Sequence, residues 1–525
     1  MRKNIAIFIG TFVLIMFITK VYAQDAAKVN VIPGLTAGAI KPVNLGENIN
    51  SLYSDYIPLI TADGQTLYFY VKNSPENVGG GDIWYSSKNG NVWDKRKNIG
   101  ITLNNKENNN VISVSPDNNL MFLARKYSKN KSGKIVDAGE GFSITRRTKT
   151  DWDLPKEVVI PNYINKSEFG EFSLGANNIT LILAVEGTET VGDKDLYVSF
   201  KGENGIWSSP LNLGTTINSK GKEISPFLAA DGVTMFFSTD GRPGYGKTDI
   251  FISRRLDDTW TNWSEPYNLG EDINTPDFDA YFSLPASGKY AYFSSRKNSL
   301  GESDIFEILL PEQMKPKPVV LISGKVLNDD TKNPMENSKI SYYNLITGVK
   351  LGEAEANPVD GSYKIVLPAG VQYSFMASSA GVFGISDNVD LSQIKEYKEL
   401  DNDLALAPYT KGKVILLRNV FFTTGKATLE NWSFPELNRV VELLNKEKTL
   451  VIEISGHTDN VGSAASNLKL STERANKVRE YILSKGIDQK RITSKGYGAA
   501  KPIEPNTTDE GKKKNRRVDL LVIEI

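Results

Sequence analysis

The 525-residue sequence contains no cysteine and a single histidine, His457. The absence of cysteine excludes disulfides, thiolate metal sites, cysteine nucleophiles and a lipid anchor on an N-terminal cysteine. With one histidine, a multi-histidine metal centre is impossible, and a Ser-His-Asp triad would have to use His457. The net charge is zero, because 62 Lys and Arg residues balance 62 Asp and Glu residues. A nucleic-acid partner is therefore not expected, and the sequence predicts neither a cofactor nor a metal site.

The composition that remains is typical of a globular protein. Apolar residues make up 40% and charged residues 24%, and 22 Tyr, 22 Phe and 7 Trp supply aromatic mass for sizeable cores. At roughly 150 residues per domain, this length predicts three or four domains.

Residues 1–23 have the pattern of a secretory signal peptide. Arg2 and Lys3 precede an apolar run at residues 5–18, and Ala23 ends the segment before Gln24. Fourteen helical residues span about 21 Å, less than the roughly 30 Å hydrocarbon core of a membrane, which disfavours the alternative of a retained anchor. We expect cleavage before Gln24 and export into a bacterial envelope.

The first half of the chain is repetitive. The sequence Asn-Leu-Gly-x-x-Ile-Asn occurs at residues 44–50, 212–218 and 268–274, and looser copies end at Asn104 and Asn165. Four of the five copies are preceded by a tryptophan: Trp93, Trp152, Trp207 and Trp263. The copies end 54, 61, 53 and 56 residues apart, and a near-regular spacing of this kind predicts a repeat architecture.

Each repeat carries two further signals. One is an acidic residue followed by two strand formers, beginning at Asp82, Asp195, Asp249 and Asp304. The second repeat departs from this pattern, with Gly-Phe-Ser-Ile at residues 141–144. The other signal is a hairpin turn between alternating strands, as at Asp63-Gly64 and Asp231-Gly232. Each repeat is therefore predicted to form a sheet of four short strands. Radial stacking of several such sheets would bury their faces.

These repeats resemble the blades of TolB-type and WD-type (WD40-like) β-propellers, which implies an all-β propeller over residues 40–310. The fifth repeat stops after residues 304–306 without a last strand, whereas residues 41–50 form a last strand without the first three. We expect the N-terminal strand to complete the fifth blade and hide its edge. Five blades are predicted, or six if a degenerate repeat lies within residues 104–165.

The recurrence of the acidic residues favours a structural role, and the repeat region has no histidine. The propeller is therefore interpreted as a platform for docking a protein. Two alternatives remain: an enzyme tethered to the cell wall that acts on glycan through paired carboxylates, and a carbohydrate-binding propeller.

A proline-rich stretch at residues 311–318 predicts a stiff, extended linker. Strand-like runs follow at residues 319–326, 339–343, 363–367 and 371–377. The segments at residues 324–326, 360–363 and 367–373 make residues 319–409 similar to a carboxypeptidase regulatory-like domain, a small transthyretin-like β-sandwich. That resemblance implies a spacer or contact module without catalysis.

Residues 412–525 change to an α/β pattern. A capping box at residues 433–436 predicts one helix, and Ser471 is predicted to cap a second that closes at Gly486. Strands are predicted at residues 450–454, 492–497 and 517–525.

The motif Gly-His-Thr-Asp-Asn-Val-Gly at residues 456–462 is followed by Asn467 and by Leu-Ser-Thr-Glu-Arg-Ala at residues 470–475. Gly-Tyr-Gly at 496–498 and Asn-Arg-Arg-Val at 515–518 continue the pattern. This segment resembles the OmpA-like C-terminal domain, a family that binds peptidoglycan without covalent attachment, chiefly through diaminopimelate in the stem peptide.

The resemblance implies a ligand site without catalytic residues. Asp459 matches the position that takes the ligand ammonium, and Arg474 the position that takes its carboxylate; a planar guanidinium meets a carboxylate with two parallel hydrogen bonds. Asn467 matches a position that borders the pocket, with loop ordering as the alternative, whereas Thr458 is a ligand candidate whose favoured role is ordering the loop. His457 and Arg516 are expected to have structural roles.

Together these resemblances imply a multidomain, non-catalytic protein of the periplasm, associated with peptidoglycan and the outer membrane. Its expected partners are peptidoglycan and a protein of the outer membrane or of a secretion complex, the latter bound by the propeller.

Overall fold

The structure is a computed structural model and describes residues 28–167, 169–335, 338–379, 382–384 and 386–525. The predicted signal peptide lies outside these residues. No helix within the described ranges is both long enough and apolar enough to cross a membrane. Strands dominate the first 420 residues, and the long helices lie near the C-terminus.

Twenty-three strands form the repetitive half. In chain order they are β1 (Val43–Asn44), β2 (Ser54–Ile60), β3 (Thr66–Lys72), β4 (Gly81–Asn89), β5 (Val92–Trp93), β6 (Lys97–Asn98), β7 (Val111–Val114), β8 (Leu120–Ala124), β9 (Tyr127–Lys129), β10 (Ile135–Asp137), β11 (Phe142–Arg146), β12 (Lys156–Glu157), β13 (Glu171–Leu174), β14 (Thr180–Val185), β15 (Asp195–Phe200), β16 (Leu211–Asn212), β17 (Glu223–Leu228), β18 (Thr234–Thr239), β19 (Asp249–Arg254), β20 (Tyr267–Asn268), β21 (Ala280–Ser283), β22 (Tyr290–Ser295) and β23 (Asp304–Leu309).

These strands form five antiparallel sheets, one per repeat, beginning with β2, β7, β13, β17 and β21. The first strands of successive sheets contact one another in a closed cycle, in which β21 returns to β2. We call this arrangement the five-sheet ring. The interval at 104–165 holds one of the five sheets and the small hairpin β9–β10, so its extra length is not a sixth sheet.

The N-terminal strand closes the fifth sheet, as predicted. Strand β1 pairs antiparallel with β23, placing Val43 opposite Glu307 and Asn44 opposite Phe306. This pairing joins segments about 260 residues apart and covers the edge of β23.

The recurring Asp and Asn residues hold each sheet together from within. In the fourth sheet the Asp249 carboxylate accepts a 2.7 Å hydrogen bond from Asn268, while Asn274 bonds both the N–H and the C=O of Ile250. The same set recurs in three other sheets, with Asp82, Asn98 and Asn104, with Asp195, Asn212 and Asn218, and with Asp304, Asn44 and Asn50. These bonds support the structural interpretation of the repeated acids.

Neighbouring sheets also meet through glycines of the repeat. A Cβ at Gly192 would lie 2.0 Å from the Gly221 carbonyl oxygen, and one at Gly246 would lie 2.0 Å from that of Thr275. Only glycine permits this approach, so the two positions fix the spacing between adjacent sheets.

The described residues of the middle segment form nine strands: β24 (Val319–Asn328), β25 (Lys339–Asn344), β26 (Lys350–Glu355), β27 (Ser362–Pro368), β28 (Gln372–Ser378), β29 (Val382–Phe383), β30 (Ser386–Asp390), β31 (Lys398–Asp401) and β32 (Leu404–Pro408). One sheet is built on β24, which pairs β27, β31 and β32, and the other has the order β26-β25-β28-β30. Side chains of both sheets, including Val320, Tyr342, Tyr363 and Phe375, form one buried core.

The proline-rich stretch is not a free spacer. Residues Glu312–Met314 form a short 3-10 helix, and Met314 is buried among side chains of the ring. The prediction of an extended linker is therefore wrong at its centre, because burial of the Met314 side chain ties this stretch to the ring.

The middle segment covers one end of the five-sheet ring. Val319, Leu321 and Val366 pack against alanines at the hairpin turns of four ring sheets, Ala62, Ala176, Ala230 and Ala286. Ion pairs surround this contact: Lys201 lies 2.6 Å from Glu353, Arg146 lies 2.8 Å from Glu355, and Lys364 pairs with Asp63.

The C-terminal segment consists of β33 (Val414–Leu417), α1 (Phe434–Lys446), β34 (Val451–Gly456), α2 (Ala464–Ser484), β35 (Ile492–Gly496), α3 (Asp509–Asn515) and β36 (Val518–Glu524). The sheet has the order β33-β36-β34-β35, with β34 parallel to β35. Both long helices pack their apolar side chains, such as Leu437, Leu444 and Val478, into its core.

Helix α1 begins directly after Ser433, as predicted, and α2 is also present, but neither predicted serine side chain caps its helix. The Ser433 hydroxyl bonds the backbone of Phe421 and does not cap α1. Helix α2 begins seven residues before Ser471, because Ser463 accepts a hydrogen bond from the Ser466 N–H and caps it there. Ser471 is buried inside the helix, and its hydroxyl donates to the Leu468 carbonyl. The helix ends before Gly486, as predicted.

Candidate ligand site of the C-terminal segment

The candidate site lies where β34 ends. The loop from His457 to Gly462 leaves the carboxyl end of this central strand and enters α2 at its Ser463 cap. Thr458 donates its backbone N–H to the Gly498 carbonyl, in the loop that follows the parallel strand β35. Two strand ends therefore fix the backbone on which Asp459 is carried.

The buried side chain of His457 supports this loop. The ring is 3% exposed and stacks on Tyr497, with centroids 5.4 Å apart and planes 7° from parallel. Its Nε2 lies 3.1 Å from Asp519 on β36, which Arg517 also contacts at 3.1 Å. The packing and loop-supporting role predicted for His457 agrees with this geometry.

Asp459 is buried and paired. It is 7% exposed, accepts a 2.6 Å hydrogen bond from Arg516, and accepts another from the Val461 N–H. Burial is the largest single influence and opposes ionisation of the carboxyl, but the hydrogen bonds from Arg516 and Val461 and the charges of Arg516 and Lys512 together outweigh it and hold the pKa of Asp459 below its usual range. The group is therefore a fixed carboxylate at neutral pH.

Arg474 faces the same site from α2. Its Nε donates to the Lys426 carbonyl at 3.1 Å, and its guanidinium lies 5.0 Å from the centre of the Phe422 ring. Burial lowers the pKa of Arg474 and the charge of Arg516 lowers it further, while Asp459 acts in the opposite direction. Two cations thus lie near one carboxylate, which only Arg516 contacts directly, and this leaves an excess of positive charge at the site.

Thr458 and Asn467 border Asp459 in different ways. The Thr458 hydroxyl is buried and has no hydrogen-bond partner among the described residues, so it offers an unused donor and acceptor. Asn467 is 7% exposed and donates to the Asp459 carbonyl at 3.3 Å, which orders the loop. Asn467 thus orders the loop in this structure, and the Thr458 hydroxyl is enclosed without a partner among the described residues.

Arg516 is the residue whose position the sequence interpretation missed. It was expected to be structural because it precedes a final strand, but its guanidinium reaches Asp459 from 57 positions away. Only the charge pattern of the Asn-Arg-Arg-Val stretch could have pointed to it. No group of three or more metal-ligating side chains occurs within the described ranges.

Comparison with known proteins matches the same segment to a family. Residues 421–516 match the OmpA family. This segment is an OmpA-like domain. The match begins just after β33 and ends at Arg516, so it includes the loop of Asp459 and both cations beside it.

The relatives of the OmpA-like domain include outer membrane protein A of Bordetella avium, 38% identical over 111 residues, which are 21% of this chain and 57% of that protein. The peptidoglycan-binding protein ArfA of Mycobacterium bovis is 37% identical over 103 residues, 20% of this chain and 32% of that protein. The chain therefore spans less than two thirds of either relative. A crystal structure of the peptidoglycan-associated lipoprotein from Burkholderia pseudomallei is 25% identical, with a TM-score of 0.19, over 20% of this chain and 87% of that one.

Proposed function

We propose that the protein is a non-catalytic component of a bacterial envelope that binds peptidoglycan through its OmpA-like domain. The observation that carries this proposal is the cluster of one fixed carboxylate, Asp459, and two guanidinium groups, Arg474 and Arg516, beside the unpartnered hydroxyl of Thr458. The ArfA relative, whose name states that it binds peptidoglycan, supports the same conclusion.

The ligand group that fits this cluster is the free end of diaminopimelate in the stem peptide. It carries an ammonium and a carboxylate on one carbon, so it needs an anion and a cation placed side by side. Asp459 accepts from the ammonium, and Arg474 meets the carboxylate.

Arg516 also takes part in binding the ligand. Before the ligand binds, the Arg516 guanidinium donates a 2.6 Å hydrogen bond to the Asp459 carboxylate, so the ligand ammonium replaces or shares that contact. The displaced guanidinium then lies beside the ligand carboxylate, together with Arg474. Charge-assisted bonds net roughly 1.5–3 kcal/mol each, and because the initial ion pair is lost in the exchange, the affinity for one stem peptide is modest.

The five-sheet ring is proposed to be a β-propeller, and the middle segment a carboxypeptidase regulatory-like β-sandwich. The cyclic contacts between first strands and the closure by β1 support the propeller. In this arrangement the OmpA-like domain holds the cell wall, while the ring docks a protein of the outer membrane or of a secretion complex. The protein then acts in the periplasm, without catalysis of its own.

Sedimentation of the full-length protein with isolated peptidoglycan tests the wall-binding role. Wild-type protein is expected to sediment and free diaminopimelate to release it, whereas Asp459→Ala and Arg474→Ala each lose most binding. Asp509→Ala removes an acidic residue that is fully exposed and 3.9 Å from its nearest cation, and serves as the matched control. Undiminished sedimentation of both site variants would remove the pocket from this proposal.

A further inference from the structure

A cavity of about 680 Å³ lies inside the five-sheet ring. All five sheets line it through their first strands, with Ile57, Ile112, Phe172, Phe227 and Phe282. The volume is within the range of ligand-binding cavities in proteins, roughly 300–1,000 Å³. It is independent of the Asp459 site, which belongs to the C-terminal segment.

The cavity is accessible from the end opposite the middle segment. The hairpin turns at the other end are packed against Val319, Leu321 and Val366. Lys72 and Arg296, at the far ends of their strands, line the cavity and are exposed. We call this accessible side the open end of the ring.

Aromatic side chains form much of the wall. Five of them line the cavity and are partly exposed: Tyr56, Tyr70, Tyr163, Phe278 and Tyr281. The Tyr70 hydroxyl donates to Asn108 at 3.2 Å, and the rings of Phe278 and Tyr281 lie 6.3 Å apart. Tyrosine provides large contact area together with a polar tip, and it is enriched where proteins bind each other.

The charges of the cavity are unbalanced. Lys72, Lys194 and Arg296 have no carboxylate within 4.0 Å among the described residues. Two acids of the lining are paired, since Glu140 lies 2.8 Å from Arg125 and Glu157 lies 2.9 Å from Lys126. Glu171 accepts hydrogen bonds from Ser225 and has no cation within 4.0 Å among the described residues. Three unpaired cations from three different sheets therefore outnumber this one unpaired acid and are available to an anionic ligand.

Apolar side chains surround the same end. Val78, Val191 and Leu300 each lie four residues before the repeated Asp and are 39%, 48% and 48% exposed. The backbone N–H of each donates to that Asp carboxylate at 2.7, 3.0 and 2.7 Å. The hydrogen bond that builds each loop therefore also presents an apolar residue to solvent, at the same place in three sheets.

We propose that the open end binds a polypeptide segment of a partner protein in which acidic and apolar residues alternate, with its carboxylates directed to Lys72, Lys194 and Arg296. The inference rests on the proposed docking role of the ring and names the chemistry of its partner. Charge complementarity selects acidic residues, and the exposed aliphatic side chains favour apolar residues over the hydroxyl-covered surface of a glycan.

Fluorescence anisotropy with the full-length protein tests this inference. The probes are a short labelled peptide of alternating Glu and Leu, an analogue with Lys in place of Glu, and a labelled polygalacturonate oligosaccharide as an anionic glycan. We expect binding of the acidic peptide alone, weakening as salt is raised. The combined variant Lys72→Glu, Lys194→Glu and Arg296→Glu should bind at least about tenfold more weakly.

The matched control makes the same charge change at exposed lysines elsewhere, Lys398→Glu, Lys448→Glu and Lys490→Glu, and should bind as wild type does. Glutamine at the three cavity positions should give a smaller loss, and circular dichroism checks that each variant folds. Absence of peptide binding by the wild type, equal binding by both triple variants, or preference for the oligosaccharide would each overturn the inference.

Sedimentation with peptidoglycan in the same variants separates this inference from the wall-binding proposal. Loss of peptide binding with wild-type sedimentation supports the cavity as a separate site. If the cavity variant loses the peptide yet still captures the same envelope protein as the wild type, the docking role persists at another surface and this inference fails.

Discussion

Arg516 donates a 2.6 Å hydrogen bond to the carboxylate of Asp459 across 57 positions of sequence. The contact closes the site that Arg474 borders from α2, so the three charges form one unit before any ligand is present. Their arrangement makes the site sensitive both to pH and to the loss of either cation.

Arg516→Ala should raise the pKa of Asp459, because burial then acts without its main opposing contact. In the wild type the folded-state pKa is lowered, so the pair stabilises the fold fully above about pH 4 and this contribution is lost as the pH falls through the folded-state value. Titration of the Asp459 carboxyl by NMR measures the shift. Lys477→Ala, in an exposed ion pair on α2, should leave it unchanged.

Asn50→Ala tests the closure of the fifth sheet. Asn50 is 2% exposed and bonds both the N–H and the C=O of Ile305, 255 positions away. Its loss leaves the buried Ile305 N–H unpaired, while the Ile305 carbonyl keeps the Leu45 N–H, and should lower the free energy of unfolding by about 2 kcal/mol. Asn204→Ala, in an exposed turn of the third sheet, should cost no more than about 0.5 kcal/mol in the same urea titration. Equal costs would argue against closure by the N-terminal segment.

Asp117→Asn tests whether Asp117, a buried acid at a hairpin turn, is protonated in the folded state. Burial, with a smaller contribution from Glu355, raises the pKa of Asp117 to about 6. The folded state therefore holds this proton more tightly than the unfolded state, and the free energy of unfolding should fall as the pH rises from about 4 to about 6. Asparagine occupies the equivalent position, Asn177, in the third sheet, so the turn tolerates the change.

Urea titrations of wild type and Asp117→Asn at several pH values provide the measurement. The variant should gain stability relative to the wild type between pH 4 and 6 and hold that gain above pH 6. Asp55, whose pKa burial also raises to about 6, still titrates in both proteins, so part of the slope remains. A constant difference across this range would mean that Asp117 is not protonated in the fold.

Leu321→Asp tests whether the middle segment and the ring unfold together. Leu321 is 2% exposed and packs toward the alanines of the hairpin turns, so an unpaired carboxylate there opposes the contact. Calorimetry should then resolve separate transitions for the middle segment and the ring, where we expect the wild type to show one shared transition. Leu400→Asp changes a 37% exposed residue on the neighbouring strand β31 and should leave the single transition in place.

Much of the fold was predictable because its signals are local. The spacing of Asn-Leu-Gly-x-x-Ile-Asn and the Asp-Gly turns predicted four strands per repeat, and β17 to β20 appear in that order in the fourth sheet. The surplus of a last strand at the N-terminus predicted that β1 would pair with β23. Two local signals were misleading: Ser433 and Ser471 look like N-caps, but tertiary contacts engage both hydroxyls elsewhere.

The sequence by itself determined the repeat, the OmpA-like motif and the residue types available for chemistry, because periodicity and motif spacing are properties of neighbouring residues. Tertiary structure alone decided that Arg516 pairs with Asp459 and that the middle segment covers one end of the ring. It also decided that Lys72, Lys194 and Arg296 meet at a single cavity. These contacts join residues far apart in the chain, and their energies depend on burial and distance, which exist only once the sheets have packed.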